Sequence, residues 1–465
     1  MTALPQPAPY RPDPAILKLG PDFYDPVGAA DFPETRLRFR NDRWAAAIGL
    51  GDLDDAAWLA HFGRFQPLPD NLATPLALRY HGHQFRVYNP DIGDGRGFLF
   101  AQMRDASGRL LDLGTKGSGQ TPYSRFGDGR LTLKGGVREV LATEMLEALG
   151  VNTSKSFSLI ETGEQLQRHD EPSPTRSAVL VRLGHGHIRI GTFQRLAYFR
   201  ETDALRRLID YSLRELYGEE PGDQPEIRLL TLAVERTAKL AASYMAAGFV
   251  HGVLNSDNIA ITAESFDYGP WRFTPRWEPG FTAAYFDENG LYAFGRQAQA
   301  IHWDVVQLAV AMRQIAEAEA LTPPLETFPA LYEAAFRDAT FARLGIAPLD
   351  EESDYALLEA MERGLTETGV TIDRFFFDWR GGKRRGPSPA DEFYRHDSFA
   401  AFGMMLGAFP KVATTDHPYW SDAAPCSMHI DELEAIWSRI DQADDWTPFH
   451  AKIAAIRRMG DAMRG

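Results

Sequence analysis

Cysteine is nearly missing from this 465-residue chain, where Cys426 stands alone. A single thiol excludes an intramolecular disulfide and any metal site built from cysteines. Long apolar runs are missing too: no uninterrupted stretch reaches the ~18 residues a membrane span requires. The Pro-rich segment from Met1 to Pro14 lacks the apolar core of a signal peptide. Positive charge is in deficit, and a net charge of −15 opposes a nucleic-acid partner, because phosphate binding favours a basic surface. A local basic pocket is still compatible with that balance. These absences predict a cytoplasmic protein with no membrane and no nucleic acid among its partners. What is present, 44% hydrophobic and 24% charged residues, is ordinary for a globular enzyme of two or three domains.

The most informative segment is His251-Gly-Val-Leu-Asn-Ser-Asp-Asn258, followed by Asp267-Tyr-Gly269. Protein kinases carry H-R-D-x-x-x-x-N and then D-F-G, whose Asn and second Asp hold magnesium against the nucleotide phosphates. Here Asn258 and Asp267 occupy those two positions, whereas the catalytic Asp is replaced by Val253, which can accept no proton. Asp257, beside Asn258, supplies a carboxylate instead.

The surrounding pattern fits a kinase-like plan. Short helical pieces at Trp44–Leu50 and Asp54–Phe62 precede a predicted hairpin, Phe98–Met103 and Leu110–Thr115. A helix follows over Val137–Leu149, with strands at Ser156–Ile160 and Ala178–Leu183 flanking a polar exposed loop, Gln167–Arg176. Beyond Gly191 the pattern turns helical, at Ile227–Gly248, Ala298–Ala318, Leu325–Leu344 and Asp354–Thr366. The basic stretch Trp379–Pro389 reads as a mobile loop. The expected fold is α+β, a bilobal protein-kinase-like arrangement with a strand-rich N-lobe and a helical C-lobe. The expected units are an N-terminal extension at 1–79, the N-lobe at 80–190, the C-lobe at 191–345 and a helical C-terminal extension at 346–465.

Several residues suit a nucleotide. Gly93-Asp-Gly-Arg-Gly97 precedes the hairpin, where a kinase keeps its phosphate loop, although a tight turn between strands explains it equally well. Lys116 ends the second hairpin strand and Glu139 lies on the next helix, the placement of the kinase Lys–Glu pair, which a surface ion pair would also satisfy. Gly127-Asp-Gly-Arg130 repeats the first loop. Arg182 and Arg189 bracket the segment that joins the lobes and meets adenine in a kinase. Two arginines there suit a polyphosphate better than a base, unless both are solvated. If they hold phosphate, the nucleotide lies reversed. His185 and His187 are assigned structural roles, having no Cys or carboxylate at ligand spacing.

These motifs together resemble the selenoprotein O family of pseudokinases. The carrying segments are Tyr80-His-Gly-His-Gln-Phe85, the two Gly-Asp-Gly-Arg loops, Lys116–Arg125, Arg138-Glu139, His251–Asn258 and Phe266–Pro270, spanning roughly 70–310. The resemblance implies a flipped ATP and transfer of AMP to protein hydroxyl groups (Ser, Thr or Tyr), with pyrophosphate released and Mg²⁺ or Mn²⁺ required. Some members are associated with UMP transfer. It further implies that Asn258 and Asp267 bind metal and that Asp257 accepts the proton. By the same carry-over Gly93, Gly95, Arg96, Lys116, Asp128, Gly129, Arg182, Arg189 and Asp267 hold ATP, with Glu139 orienting Lys116. Proteins with hydroxyl side chains are the expected partners.

The chain departs from the family in places. Arg86 stands where glycine is expected, and Gly135-Gly136 where serines are usual. The last third is expected to match poorly, and the end at Gly465 carries no terminal Cys or selenocysteine for a redox switch. The competing readings are a protein kinase with unusual loop chemistry, a uridylyltransferase and a non-catalytic ATP-binding scaffold. Val253 opposes the kinase, and Asn258 with Asp267 opposes the scaffold.

Overall fold

A computed structural model describes residues 6–169 and 171–465; residues 1–5, in the Pro-rich N-terminus, and Asp170, in the polar loop expected at 167–176, lie outside the described residues. The first lobe contains, in chain order, β1 (Tyr24–Pro26), β2 (Arg36–Arg40), α1 (Asp42–Ala47), α2 (Asp55–Phe62), β3 (Leu76–Leu78), β4 (Gly82–Gln84), β5 (Val87–Asn89), β6 (Leu99–Arg104), β7 (Leu110–Lys116), β8 (Leu131–Thr132), α3 (Leu133–Ala148), β9 (Lys155–Leu166) and β10 (Thr175–Gly184). Its main sheet runs β1-β3-β6-β7-β10-β9-β2 with every neighbouring pair antiparallel, and β8 adds to β10.

Both edges of that sheet come from the first 40 residues, where coil and short helices were expected. The alternation Arg36-Leu-Arg-Phe-Arg40 suits a strand with one buried face, and it pairs with β9. Covering both faces explains why β6 and β7 are apolar on successive residues rather than alternately. One face, with Leu99, Leu110, Leu159 and Leu180, packs on α3. The other, with Phe100, Leu113, Phe157 and Val181, is roofed by α1 and α2, and Trp58 stacks on Phe157 at 4.9 Å between centroids.

Helix α3 starts at Thr132, whose side chain accepts from the Gly135 amide as an N-cap. The Gly135-Gly136 departure has a packing cause: a Cβ on Gly136 would fall 2.4 Å from a Leu159 methyl. Two glycines cost a helix roughly 1 kcal/mol each, offset by close approach to the sheet.

The second lobe continues with α4 (Ile190–Tyr198), α5 (Thr202–Tyr211), α6 (Pro225–Ala247), α7 (Gln297–Met312), α8 (Ala318–Glu326), α9 (Phe328–Leu344), α10 (Glu351–Thr368) and α11 (Ile372–Trp379). Pro225 opens α6 and left-handed Gly248 closes it, and α6 packs against α7 and α9. The helix expected over Ala298–Ala318 stops at Met312, and α9 starts at Phe328 rather than Leu325. A separate α8 carries Pro323 and Pro324 between them. No described helix is long and apolar enough to cross a membrane.

The chain ends in α12 (Asp391–Tyr394), α13 (Asp397–Leu406), α14 (Ile430–Ala443) and α15 (Thr447–Arg464). Helices α14 and α15 return to α3, with Arg457 gripping Glu144 at 2.8 and 2.7 Å and Lys134 meeting Glu434 at 2.7 Å. The mobile loop expected at 379–389 is instead anchored. Arg380 is buried and donates to the carbonyls of Ala342, Arg343 and Met463, so it caps the ends of both α9 and α15. Burial, and then the like charge of Arg343, lower the pKa of its guanidinium to about 10.

Candidate active site

A cleft of about 690 Å³ lies at the junction of the lobes. Strand β7 delivers Lys116 into it, where Nζ sits 2.5 Å from Glu139 on α3 and 2.6 Å from Asp267. From β10, Arg182 reaches the same two carboxylates at 3.4 and 3.3 Å. Asp267 has φ of 64°, a left-handed conformation that a non-glycine residue rarely keeps without compensation. Compensation is visible in its charge: burial would raise its carboxyl, but Lys116, Arg182, Arg96 and Arg189 hold it well below the usual range.

Arg189 stands at the N-cap of α4, and both terminal nitrogens of its guanidinium are bonded. Its guanidinium lies 4.3 Å from the Tyr80 ring and 4.8 Å from the Phe266 ring, and it donates to the Asp257 carbonyl at 2.9 Å and to Asp94 at 3.2 Å. Asp94 in turn accepts from the Leu78 amide at 3.0 Å, which ties the first Gly-Asp-Gly-Arg loop to β3.

Asp257 sits in a single 3₁₀ turn, Ser256–Asn258, buried, with its Oδ1 lacking any hydrogen-bond partner. Burial and nearby Asp267 raise its carboxyl to about 6, against the opposing charge of Arg189. Asn258 donates through Nδ2 to the Val253 carbonyl at 3.1 Å, which turns its amide oxygen away from that bond. His251 links the two motifs by its Nε2 contact to the Phe266 carbonyl at 3.0 Å, and burial pushes its imidazole below the ordinary value. The β4–β5 hairpin docks over this turn, with the His83 amide donating to Ser256 and the Phe85 amide to Asn255.

The two Gly-Asp-Gly-Arg loops pack on each other's surroundings. A Cβ on Gly93 would meet the Tyr123 ring at 2.5 Å, one on Gly95 the Tyr123 carbonyl at 2.8 Å, and one on left-handed Gly129 the Gly119 backbone at 2.2 Å. Packing alone therefore demands these glycines. Asp128 is not vacant: it holds Arg168 through two contacts, 2.8 and 3.1 Å. His185 and His187 carry structural contacts, the first through its amide to Glu264 and the second through Nδ1 to Asp112 at 3.1 Å.

Of the residues singled out in the sequence, Gly93, Gly95, Arg96, Lys116, Asp128, Gly129, Arg182, Arg189, Asp257 and Asp267 line this one cleft. Glu139 stands behind Lys116, and Asn258 is not on the wall. The cleft also contains residues that received no site role from the sequence: Tyr80, Asp94, Tyr123 and Arg125, which lie inside the motifs, and Phe126 and Arg168, which do not. Arg125 and Phe126 adjoin the second loop, so its neighbours carried the missing signal; the aromatic sandwich around Arg189 has none at the level of spacing. Seven Lys and Arg side chains face four Asp side chains across the lining. Among the described residues Arg96 and Arg125 have no ion-pair partner, in a chain of net charge −15. An anionic ligand is what such a wall attracts.

Comparison with known proteins gives the same direction. The profile of the family described as protein adenylyltransferase SelO matches residues 9–393. The chain belongs to that family. A protein nucleotidyltransferase YdiU from Gloeobacter violaceus is 44% identical over 464 residues, covering 96% of this chain and 95% of the relative. That of Synechocystis sp. is 42% identical, covering 96% and 97%. The chain is accordingly a nucleotidyltransferase. These matches extend the resemblance well beyond the 70–310 expected from the motifs, while the family profile itself stops at 393. Among solved structures, the Toxoplasma gondii specific rhoptry antigen kinase domain aligns at 12% identity and a TM-score of 0.28 over 58% of this chain and 84% of its own, which carries no weight here.

Proposed function

We propose that the chain transfers AMP from ATP to Ser, Thr or Tyr hydroxyl groups of proteins, with the nucleotide reversed relative to a protein kinase. The observation that carries this reading is the pair of arginines on the wall of the inner cleft. A kinase receives adenine beside the segment joining its lobes. Here Arg182 and Arg189 face the cleft at that segment, both buried and both carrying their charge into it. Two guanidiniums at that place suit β- and γ-phosphates better than a base.

In this reading a protein hydroxyl attacks the α-phosphorus. Its oxygen forms the new P–O bond, the α–β bridging bond breaks, and pyrophosphate departs toward Lys116, Arg182 and Arg189. Asp257 accepts the hydroxyl proton on its unpartnered Oδ1. Glu139 keeps Lys116 extended, and Arg96 offers an unpaired guanidinium to the phosphates. Asn258 and Asp267 would hold Mg²⁺ or Mn²⁺. Their oxygen donors fit such hard cations, and no cluster of three His, Cys, Asp or Glu exists among the described residues, so phosphates and water would complete the shell. Charge neutralisation at the phosphates is the chemistry such an ion supplies.

Parallel incubations with α-labelled and γ-labelled ATP and a mixed protein extract test the proposal, with α-labelled UTP as the third arm. Label reaching protein from α-ATP alone supports it. Label from the γ position indicates a kinase, stronger transfer from UTP a uridylyltransferase, and no label a scaffold.

A further inference from the structure

The outer part of the cleft presents an unusual side chain. Phe126 is the most exposed large apolar residue described, yet the turn that carries it is firmly built. The Ser124 carbonyl accepts from the Gly127 amide at 2.7 Å, Ser124 Oγ accepts from the Thr121 amide at 2.8 Å, and Gln120 donates to the Gly127 carbonyl at 2.8 Å. Arg125 adopts φ of 53°, a strained conformation for a side chain with a Cβ. A turn that spends conformational energy to hold a phenyl ring in water is arranged for something other than burial in its own core. The same mouth contains the Arg168 guanidinium, whose plane is fixed by two contacts to Asp128 and one to the Gln167 carbonyl at 2.9 Å. A phenyl ring and an immobilised guanidinium are the two kinds of flat surface on which nucleobases stack.

We infer that Phe126 and Arg168 form the nucleobase subsite of the cleft and that Phe126 sets the preference for a purine over a pyrimidine. This rests on the reversed nucleotide proposed above, which puts the phosphates at Arg182 and Arg189 and the base at the mouth. A purine offers the larger stacking face, so it gains more from the phenyl ring than uracil does.

Equilibrium binding of Mg-ATP, Mg-UTP and inorganic tripolyphosphate to the full chain tests the inference. Phe126→Ala should weaken ATP binding about tenfold, weaken UTP less, and leave tripolyphosphate unchanged; Phe126→Trp should restore ATP binding. Unchanged ATP affinity in Phe126→Ala, or equal losses for all three ligands, would overturn it. Arg189→Lys is the separate check on orientation. If that variant leaves tripolyphosphate binding intact, the reversed placement itself is wrong, whatever Phe126 does.

Discussion

Gly82 backs directly onto Asp257: a methyl group built on Gly82 would lie 2.8 Å from both Cβ and Oδ1 of Asp257. The hairpin strand β4 therefore acts as a wall that fixes where the unpartnered carboxylate oxygen can stand. Gly82→Ala should slow nucleotidyl transfer by roughly 10–100-fold, since small misplacements of reacting groups have costs of that order. ATP affinity should stay within about twofold. A variant with normal kcat would detach Gly82 from the chemistry, and a melting curve separates that outcome from misfolding.

Removing the carboxylate is the sharper experiment. Asp257→Ala should retain Mg-ATP binding while transfer falls ~10²–10⁴-fold, the usual cost of losing a general base. Val253→Asp restores the kinase-type carboxylate but should move no γ-label onto protein. Near-normal transfer in the first variant, or γ-label in the second, would contradict the assigned roles.

Arg189 is held by two rings and two oxygen acceptors before any ligand arrives, so little ordering is needed on binding. Arg182→Lys and Arg189→Lys should each weaken ATP by about 1.5–3 kcal/mol, the range for one charge-assisted contact. Adenosine affinity should barely change. Calorimetric titration of both ligands decides, and equal losses would reduce these arginines to a structural role.

The sequence departure at Arg86 has a stability consequence. Phe85 and Arg86 both have positive φ, 50° and 64°, as a two-residue hairpin turn requires, and glycine adopts this most easily. Arg86 recovers part of the strain by lying 5.4 Å from the Trp303 ring. Arg86→Gly should stabilise the protein by about 0.5 kcal/mol net, read as a higher midpoint in urea. A lower midpoint would mean that the Trp303 contact outweighs the turn strain.

Asp444 closes α14 and meets Arg38 and Arg176, at 3.2 and 2.7 Å, together with the Trp446 indole at 2.9 Å. Burial works against its charge, but these partners prevail and lower its carboxyl from 3.8 to about 2. The pKa is lower in the folded state, so the contribution is complete above about pH 4 and is lost as pH falls toward 2. Solvent reaches half of the side chain, which limits the contribution to below ~1 kcal/mol. The stability gap between wild type and Asp444→Asn should therefore be present at pH 6, shrink below pH 4 and close only as pH falls through about 2. A gap independent of pH would assign the effect to packing.

Much of the cleft was legible because its chemistry is carried by short motifs: Lys116 on a strand, Glu139 on the next helix, and Asp257 beside Asn258. What spacing could not show is which side chains surround them. Arg380 belongs to a run of basic residues that suggests solvent, yet it is buried because the carbonyl ends of two helices, remote in sequence, both need donors. The strand character of Arg36–Arg40 was visible in its alternation, but its place in the sheet was not, since its partner β9 begins at Lys155. Phe126 was missed for the opposite reason, being an apolar residue that makes no core.

The edges of the sheet have a consequence for the order of events during synthesis. Strand β2 leaves the ribosome early and finds its partner only after β9 has been made, more than a hundred residues later. Until then its unpaired amides and carbonyls have no partner strand, and the roof formed by α1 and α2 lacks the β9 and β10 part of its floor. The lobe therefore matures late and as one unit, with a slow step set by closing that long loop. Nascent chains halted before residue 155 should be cut by proteases at Arg36–Arg40, and chains extended past β10 should not.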